Sequence, residues 1–270
     1  RQFPGTATTK HPFSSADGAR ATNGTGCRLK RMTLDPGTIA IIQLAWSRRL
    51  GLADDALSAA GDGTRIYSVQ DESRSVSFMR LFGREVFCGP EWAARRARGM
   101  SAEELSRHTS LAGLSMEYGG RTVGSERLCF ADAFPEPLEP AEELAVSEDP
   151  EIAVQLERLC PPDDVAEAGL AGKESMFIVV DDSADVPVPL AGAGYSIRDG
   201  ILADISTLTA PSSRRHGLGR YVTAIAVEES MAAGLIPQYR TPLDNIGAAR
   251  TAAGAGFLAV GIRSEVQLTS

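Results

Sequence analysis

The chain has 270 residues, 43% of them hydrophobic and 23% charged, with a formal net charge of −8. That balance fits a folded chain of one large or two ordinary domains. The acidic total disfavours nucleic acid and anionic membrane as partners unless a local basic patch overrides it, and no apolar run of about 18 residues offers a membrane span.

Residues 1–31 are rich in Gly, Thr, Ser and Ala, with almost no apolar periodicity, and read as a flexible tail lacking the apolar core of a secretory signal. Met32 is a plausible natural start. Asp35-Pro36 is a helix-start signal, and Ile39, Ile42 and Trp46 behind it are spaced for one helical face. The runs 64–70 and 75–89 alternate in part and read as strands. "EWAARRARGMSAEELSRH" predicts one or two polar helices, with Ser101 and Glu104 forming a capping box. Residues 121–134 read as a further strand, and the proline- and glutamate-rich 135–143 as a linker or domain edge. These segments define an N-terminal α/β domain over 32–138.

The second domain, 139–270, opens with two short helices, "EIAVQLERLC" and "PPDDVAEAGL". Three strands follow at 175–182, 189–197 and 201–209, the last two joined by a turn at Arg198-Asp199-Gly200. A helix runs from Gly219 to about Ala233, with Leu218, Tyr221, Val222 and Ile225 on one face, and Gly234 ends it. "IPQYRT" is a short strand, a small-residue helix is capped by Asn245 and closed by Gly256, and a last alternating strand follows. Cys27, Cys88, Cys129 and Cys160 are dispersed, as are the three histidines. No metal site is expected, and the cysteines read as reduced thiols of a cytoplasmic protein.

The chemistry concentrates in "SSRRHGLGRY", residues 212–221, at a strand-to-helix junction. The first amides of a helix are unpaired and lie at the positive end of its dipole, and glycines let an anion approach them. Arg214, Arg215 and Arg220 add full charges beside Gly217 and Gly219. A Walker A loop would need Gly-Lys-Ser/Thr, which is absent; a dinucleotide fingerprint would need glycine where Val222 stands, and "GAGYSI" carries Ile197 in place of its last glycine. An ordinary basic turn before a helix would read the same way in isolation.

Arg214, Gly217 and Gly219 form R-x-x-G-x-G, preceded by Pro211 and followed by Asn245, Gly256 and Phe257. In that combination, about residues 142–270 resemble the GNAT superfamily of acetyl-CoA-dependent N-acetyltransferases. The resemblance implies an α/β (α+β) fold with a central mixed, mostly antiparallel sheet flanked by helices, and implies acetyl-CoA as co-substrate. It implies that Thr207, Leu208 and Thr209 pair with the pantetheine arm, that the pyrophosphate sits on the amides from Arg215 through His216, Gly217, Leu218, Gly219 and Arg220, and that Asn245 makes a polar contact near the pantetheine. Helix capping is the simpler role for Asn245, and surface solvation for the Arg214 and Arg215 side chains.

The acid–base residues are less defined. Ribosomal-protein alanine acetylases, similar in motif only, carry a glutamate and a tyrosine at the positions that Arg240 and Ala252 occupy here. Asp204 is the candidate catalytic carboxylate; its place between Ala203 and Ile205 equally suits a surface residue, and Ser206 shares its face. Arg240 would bind an acidic acceptor or pair with Asp244 or Glu228; Tyr195 and Glu117 are further acceptor-side candidates, and His216 is structural rather than catalytic. The N-terminal domain, a degenerate GNAT-like unit with no such loop, is expected to cover the acceptor side. The reading is an acetyltransferase acting on a small-molecule amine by direct transfer, with at most a second copy of the chain as protein partner. A non-catalytic acyl-CoA sensor and a protein N-terminal acetyltransferase are the alternatives.

Overall fold

The computed structural model describes residues 33–136, 144–183 and 186–269. The tail predicted over 1–31 and most of the linker lie outside these residues. Helix α1, Pro36–Arg49, starts where expected: the Asp35 carboxylate accepts from the Gly37 amide at 2.8 Å. Ile42 and Trp46 are buried, and Ile39 packs partly against them. A one-turn helix, α2 (Ala56–Ala59), precedes β1 (Arg65–Val69), β2 (Ser75–Leu81) and β3 (Arg84–Gly89). The run 75–89 is thus a hairpin, turning at Phe82 and Gly83, both at positive φ.

The run 91–108 holds two short helices, as expected, α3 (Glu91–Ala97) and α4 (Ala102–Leu105), and α5 (His108–Ser115) follows. The capping box forms, with Glu104 N–H donating to Ser101 Oγ at 3.2 Å and Ser101 N–H to Glu104 Oε2 at 2.7 Å. Next come β4 (Gly120–Phe130), β5 (Ala145–Ser147), α6 (Pro150–Leu159), α7 (Pro162–Ala168), β6 (Ser175–Asp181), β7 (Val188–Arg198) and β8 (Leu202–Thr209). The chain ends with α8 (Leu218–Ala232), β9 (Ile236–Pro242), α9 (Ile246–Gly254) and β10 (Leu258–Leu268).

Among the described residues ten strands join one sheet, in the order β1-β3-β2-β10-β4-β9-β8-β7-β6-β5. Of these pairings β1/β3 and β8/β9 are parallel and the other seven antiparallel, so the sheet is mixed and mostly antiparallel. The sequence gives no sign of how the two regions are stitched. β4, from the first region, inserts between β9 and β10 of the second, and β10 reaches across to pair with β2.

Alternation along the strands sorts the core onto two faces. Leu202 and Leu128 pack under α1 with Trp46, and Leu208 packs under α6 with Leu156. Ala203, Ile205 and Tyr239 point the other way, under α8, and Phe78 packs against α3 and α5 on that same side. Truncating the fully buried Trp46 would cost about 3–5 kcal/mol. Helices therefore cover both faces, and the site lies where two central strands part.

Candidate active site

β8 and β9 pair in parallel from Leu202↔Ile236 to Ile205↔Tyr239, and there the pairing stops. β8 continues through Ser206–Thr209 and β9 through Arg240–Pro242 with no pairing between them. The strands splay, and a cleft of about 560 Å³ opens between them. Its walls include Thr207, Leu208 and Thr209 on β8, Tyr239 and Arg240 on β9, Asn245 and Arg250 at α9, and Asp164 and Glu167 on α7. Because β7 bonds only one edge of β8, the β9-facing edge of residues 206–209 has no strand beside it.

The loop from β8 to α8 forms the mouth of this cleft. Pro211–Ser213 make one 3₁₀ turn, then Arg215 (φ 70°) and Gly217 (φ 81°) take left-handed conformations. A non-glycine residue there costs about 1–2 kcal/mol, and Arg215 takes this conformation on an exposed loop. Gly217 is the N-cap of α8 and brings no side chain, whereas Asp35, Ser101, Asp149 and Asn245 cap their helices with side-chain oxygens. The first amides of α8 are thus left without a side-chain acceptor. Gly219 follows at the closest approach to β8: a Cβ there would lie 3.0 Å from Thr209 Oγ1 and 3.8 Å from Thr207 Cγ2.

Five arginines line the cleft, Arg214, Arg215, Arg220, Arg240 and Arg250, against two carboxylates, Asp164 and Glu167. The chain is acidic as a whole, so this is a local basic patch of the kind needed to attract an anion. Arg220 Nε is buried and has no hydrogen-bond partner. Arg214 donates from Nε to the Thr209 carbonyl at 3.2 Å and from Nη2 to Asp164 Oδ2 at 2.6 Å. Asn245 is used at both ends, its Oδ1 accepting from Ala248 N–H at 2.9 Å and its Nδ2 donating to both Glu167 oxygens at 2.9 and 3.0 Å. Its capping role is therefore real, and a ligand contact would have to displace Glu167.

The structure thus gathers Thr207, Leu208, Thr209, Arg214, Arg215, Gly217, Leu218, Gly219, Arg220 and Asn245 around one cleft. His216 is exposed at the loop's outer bend and does not line it. Tyr195 lies in the core under α8, and Glu117 pairs with Arg96 at 2.5 Å, so neither reaches the cleft. Sequence reasoning missed Tyr239, Arg250 and the α7 carboxylates. Burial pushes the Tyr239 phenol up to about 12, so it keeps its proton at neutral pH.

Asp204 requires the largest revision. It is neither on the surface nor open to the cleft: it is 4% exposed and tied into a buried network. Arg240 grips it through Nε at 3.0 Å and Nη2 at 2.7 Å, and Gln238 Nε2 donates to it at 3.1 Å. Trp46 Nε1 in turn donates to Gln238 Oε1 at 3.1 Å, linking α1 to the strands. Burial alone would raise the Asp204 carboxyl, but the two bonds and the charge of Arg240 outweigh it and hold the carboxyl at about 2. A carboxylate so stabilised is a weak base. Arg240 correspondingly pairs with Asp204 and with Glu126 (3.4 Å), not with Asp244 or Glu228.

A second cavity, of about 740 Å³, lies against this network, bounded by β4, the end of β9 and β10. Arg240 and Glu167 line both spaces, so the two share a wall. Among the described residues no group of three or more His, Cys, Asp and Glu is placed to hold a metal, and no helix is long and apolar enough to cross a membrane.

No protein-family model matches the sequence, and no curated protein matches it. Similar solved structures do exist. One is a putative acetyltransferase of the GNAT family from Novosphingobium aromaticivorans, 20% identical, covering 56% of this chain and 69% of that one with a TM-score of 0.41. A GCN5-related N-acetyltransferase from Kribbella flavida is 20% identical over 59% of this chain, with a TM-score of 0.42, and the match spans 64% of its length, less than two thirds. Another from Sphaerobacter thermophilus is 13% identical and covers 86% of this chain and 93% of that one, with a TM-score of 0.46.

Proposed function

We propose that the cleft binds acetyl-CoA and that the protein passes the acetyl group directly to a primary amine of a small molecule. The observation that carries this reading is convergence: the R-x-x-G-x-G loop, the unpaired edge of β8 and the arginine patch meet in one cleft. A pyrophosphate suits the uncapped amides of α8, and Arg220 Nε offers a buried donor lacking an acceptor. The pantetheine arm carries amides, which suit the strandless backbone edge of Ser206–Thr209 as an added strand would, the Thr209 carbonyl there being shared with Arg214 Nε. Gly219 leaves the space that this arm requires beside Thr209.

In the reaction, the neutral amine nitrogen attacks the thioester carbon, the C–N bond forms and the C–S bond breaks. The thiolate departs, one amine proton is lost, and protonation of the sulfur leaves a free thiol. Asp204 anchors Arg240 in the floor of the site and takes no part in proton transfer. Glu167, on the wall shared by both cavities, is the carboxylate placed to receive the amine proton.

Thiol release from acetyl-CoA across a panel of primary amines tests the reading. Release that saturates with amine supports it. Binding of acetyl-CoA with no release across the panel favours a non-catalytic acyl-CoA sensor instead, which Ala252 and the tethered Arg240 also suit. Absence of binding overturns both.

A further inference from the structure

The two cavities carry opposite charge. The donor cleft holds five arginines, Arg240 of the shared wall among them, against two carboxylates. The second cavity is lined by four carboxylates, Glu126, Glu167, Asp244 and Glu265, against two guanidiniums, Arg240 and Arg263. Both guanidiniums are paired with carboxylates, although the buried Arg263 Nε has no hydrogen-bond partner. Arg240 is held by Asp204 from beneath, and Arg263 Nη1 lies 2.8 Å from Glu265 Oε2. Among the lining residues, four carboxylates face two guanidiniums, a balance of two negative charges. Glu126 Oε1 is buried with no hydrogen-bond donor, its nearest cation being Arg263 Nη1 at 3.6 Å. A concave, partly buried wall focuses such a field, so this space selects for cations.

The register gives the reach. On β4, Glu126 sits opposite Pro242 of β9 and, on its other side, opposite Arg263 of β10, while Glu265 lies one pleat further along β10. β4 and β10 are one and two strand spacings from β9, about 5 and 10 Å. A ligand whose reacting nitrogen is at the Arg240–Glu167 wall would therefore place a second group, a short aliphatic chain away, among Glu126, Asp244 and Glu265.

From this juxtaposition we propose that the second cavity is the acceptor site and that the acceptor is a small diamine or polyamine. One amine enters neutral at the shared wall and is acetylated, while a second, still protonated, is held by Glu126, Asp244 and Glu265. The inference rests on the donor-cleft reading, which supplies the acetyl group. A monoamine leaves the distal carboxylates without a partner, and a zwitterionic amino acid brings a carboxylate into a negative cavity.

The full chain is assayed for thiol release from acetyl-CoA with putrescine, butylamine and alanine, alongside the melting temperature with acetyl-CoA alone. Putrescine is expected to exceed butylamine in kcat/KM by about tenfold or more, the worth of one charge-assisted contact, with alanine lowest. Glu126→Gln and the exposed Asp244→Asn each reduce the putrescine-to-butylamine ratio and keep the thermal shift given by acetyl-CoA. Two results overturn the inference while leaving the donor site intact: equal kcat/KM for putrescine and butylamine, or an unchanged ratio in both variants, with the acetyl-CoA shift preserved. Loss of that shift in the native protein overturns the donor reading itself.

Discussion

Replacing Asp204 with Asn distinguishes an anchor from a base. The substitution keeps the shape and removes the charge that accepts two bonds from Arg240 and one from Gln238. Arg240 is then left in a mostly buried position with Glu126 at 3.4 Å as its remaining carboxylate. Breaking a buried pair from one side costs about 3–5 kcal/mol, because the surviving charge is uncompensated. The pH dependence provides a second reading of the same pair. The folded-state carboxyl lies at about 2, below its unfolded value, so its stabilisation is complete above about pH 4 and lost as pH falls toward 2. That part amounts to about 2 kcal/mol, smaller than the first figure, which also counts the stranded guanidinium. Urea unfolding of both proteins between pH 7 and pH 2 measures each quantity. The gap between native protein and variant is expected to be wide at pH 7 and to narrow through acid. The double change Asp204→Leu with Arg240→Met should cost less than Asp204→Asn alone. A variant within about 0.5 kcal/mol of the native protein at pH 7, with a lost or shifted pH–rate profile, would return Asp204 to the role of base.

Three further outcomes are expected. Gly217→Ala meets no atom within 4 Å but forces alanine to a φ of 81°, so it should lower stability by about 1–2 kcal/mol, read from its unfolding midpoint. Asp164→Ala frees Arg214 from a half-exposed ion pair and removes a carboxylate from the donor cleft; coenzyme A affinity by calorimetry should tighten by up to about fivefold. Burial pushes the Cys88 and Cys129 thiols up to about 11, so in a Cys27→Ser background an aromatic disulfide reagent should modify Cys160 first and reach the other two only on unfolding.

Local chemistry was legible in the sequence. Asp35, Ser101 and Asn245 announced their helices through capping oxygens, and the Asp199-Gly200 turn and the closing Gly234 and Gly256 fell where positive φ is found. The donor loop was legible for the same reason, since the backbone it requires is written in adjacent residues. What could not be read depends on partners far along the chain. Nothing within 120–130 says that this strand slots between β9 and β10, because those residues alternate as any strand does. Asp204 between Ala203 and Ile205 has the same pattern whether it meets water or an arginine 36 residues away. Glu126 and Arg240 are separated by 114 residues, and only the inserted β4 brings them together. Nothing in "PPDDVAEAGL" marks Asp164 and Glu167 as cleft residues, because their partners Arg214 and Asn245 lie 50 and 78 residues further along the chain. The unpaired edge of β8 is a property of the sheet, with no trace in the residues that carry it.

Isothermal titration of acetyl-CoA into the full chain and into Gly219→Val tests the donor cleft most directly. The native protein should bind saturably with one equivalent, and the valine variant, its added carbons driven against Thr209, should keep its folded circular-dichroism spectrum and lose that binding. No binding by the native protein at millimolar acetyl-CoA, or equal binding by both, would contradict the assignment of the cleft to coenzyme A.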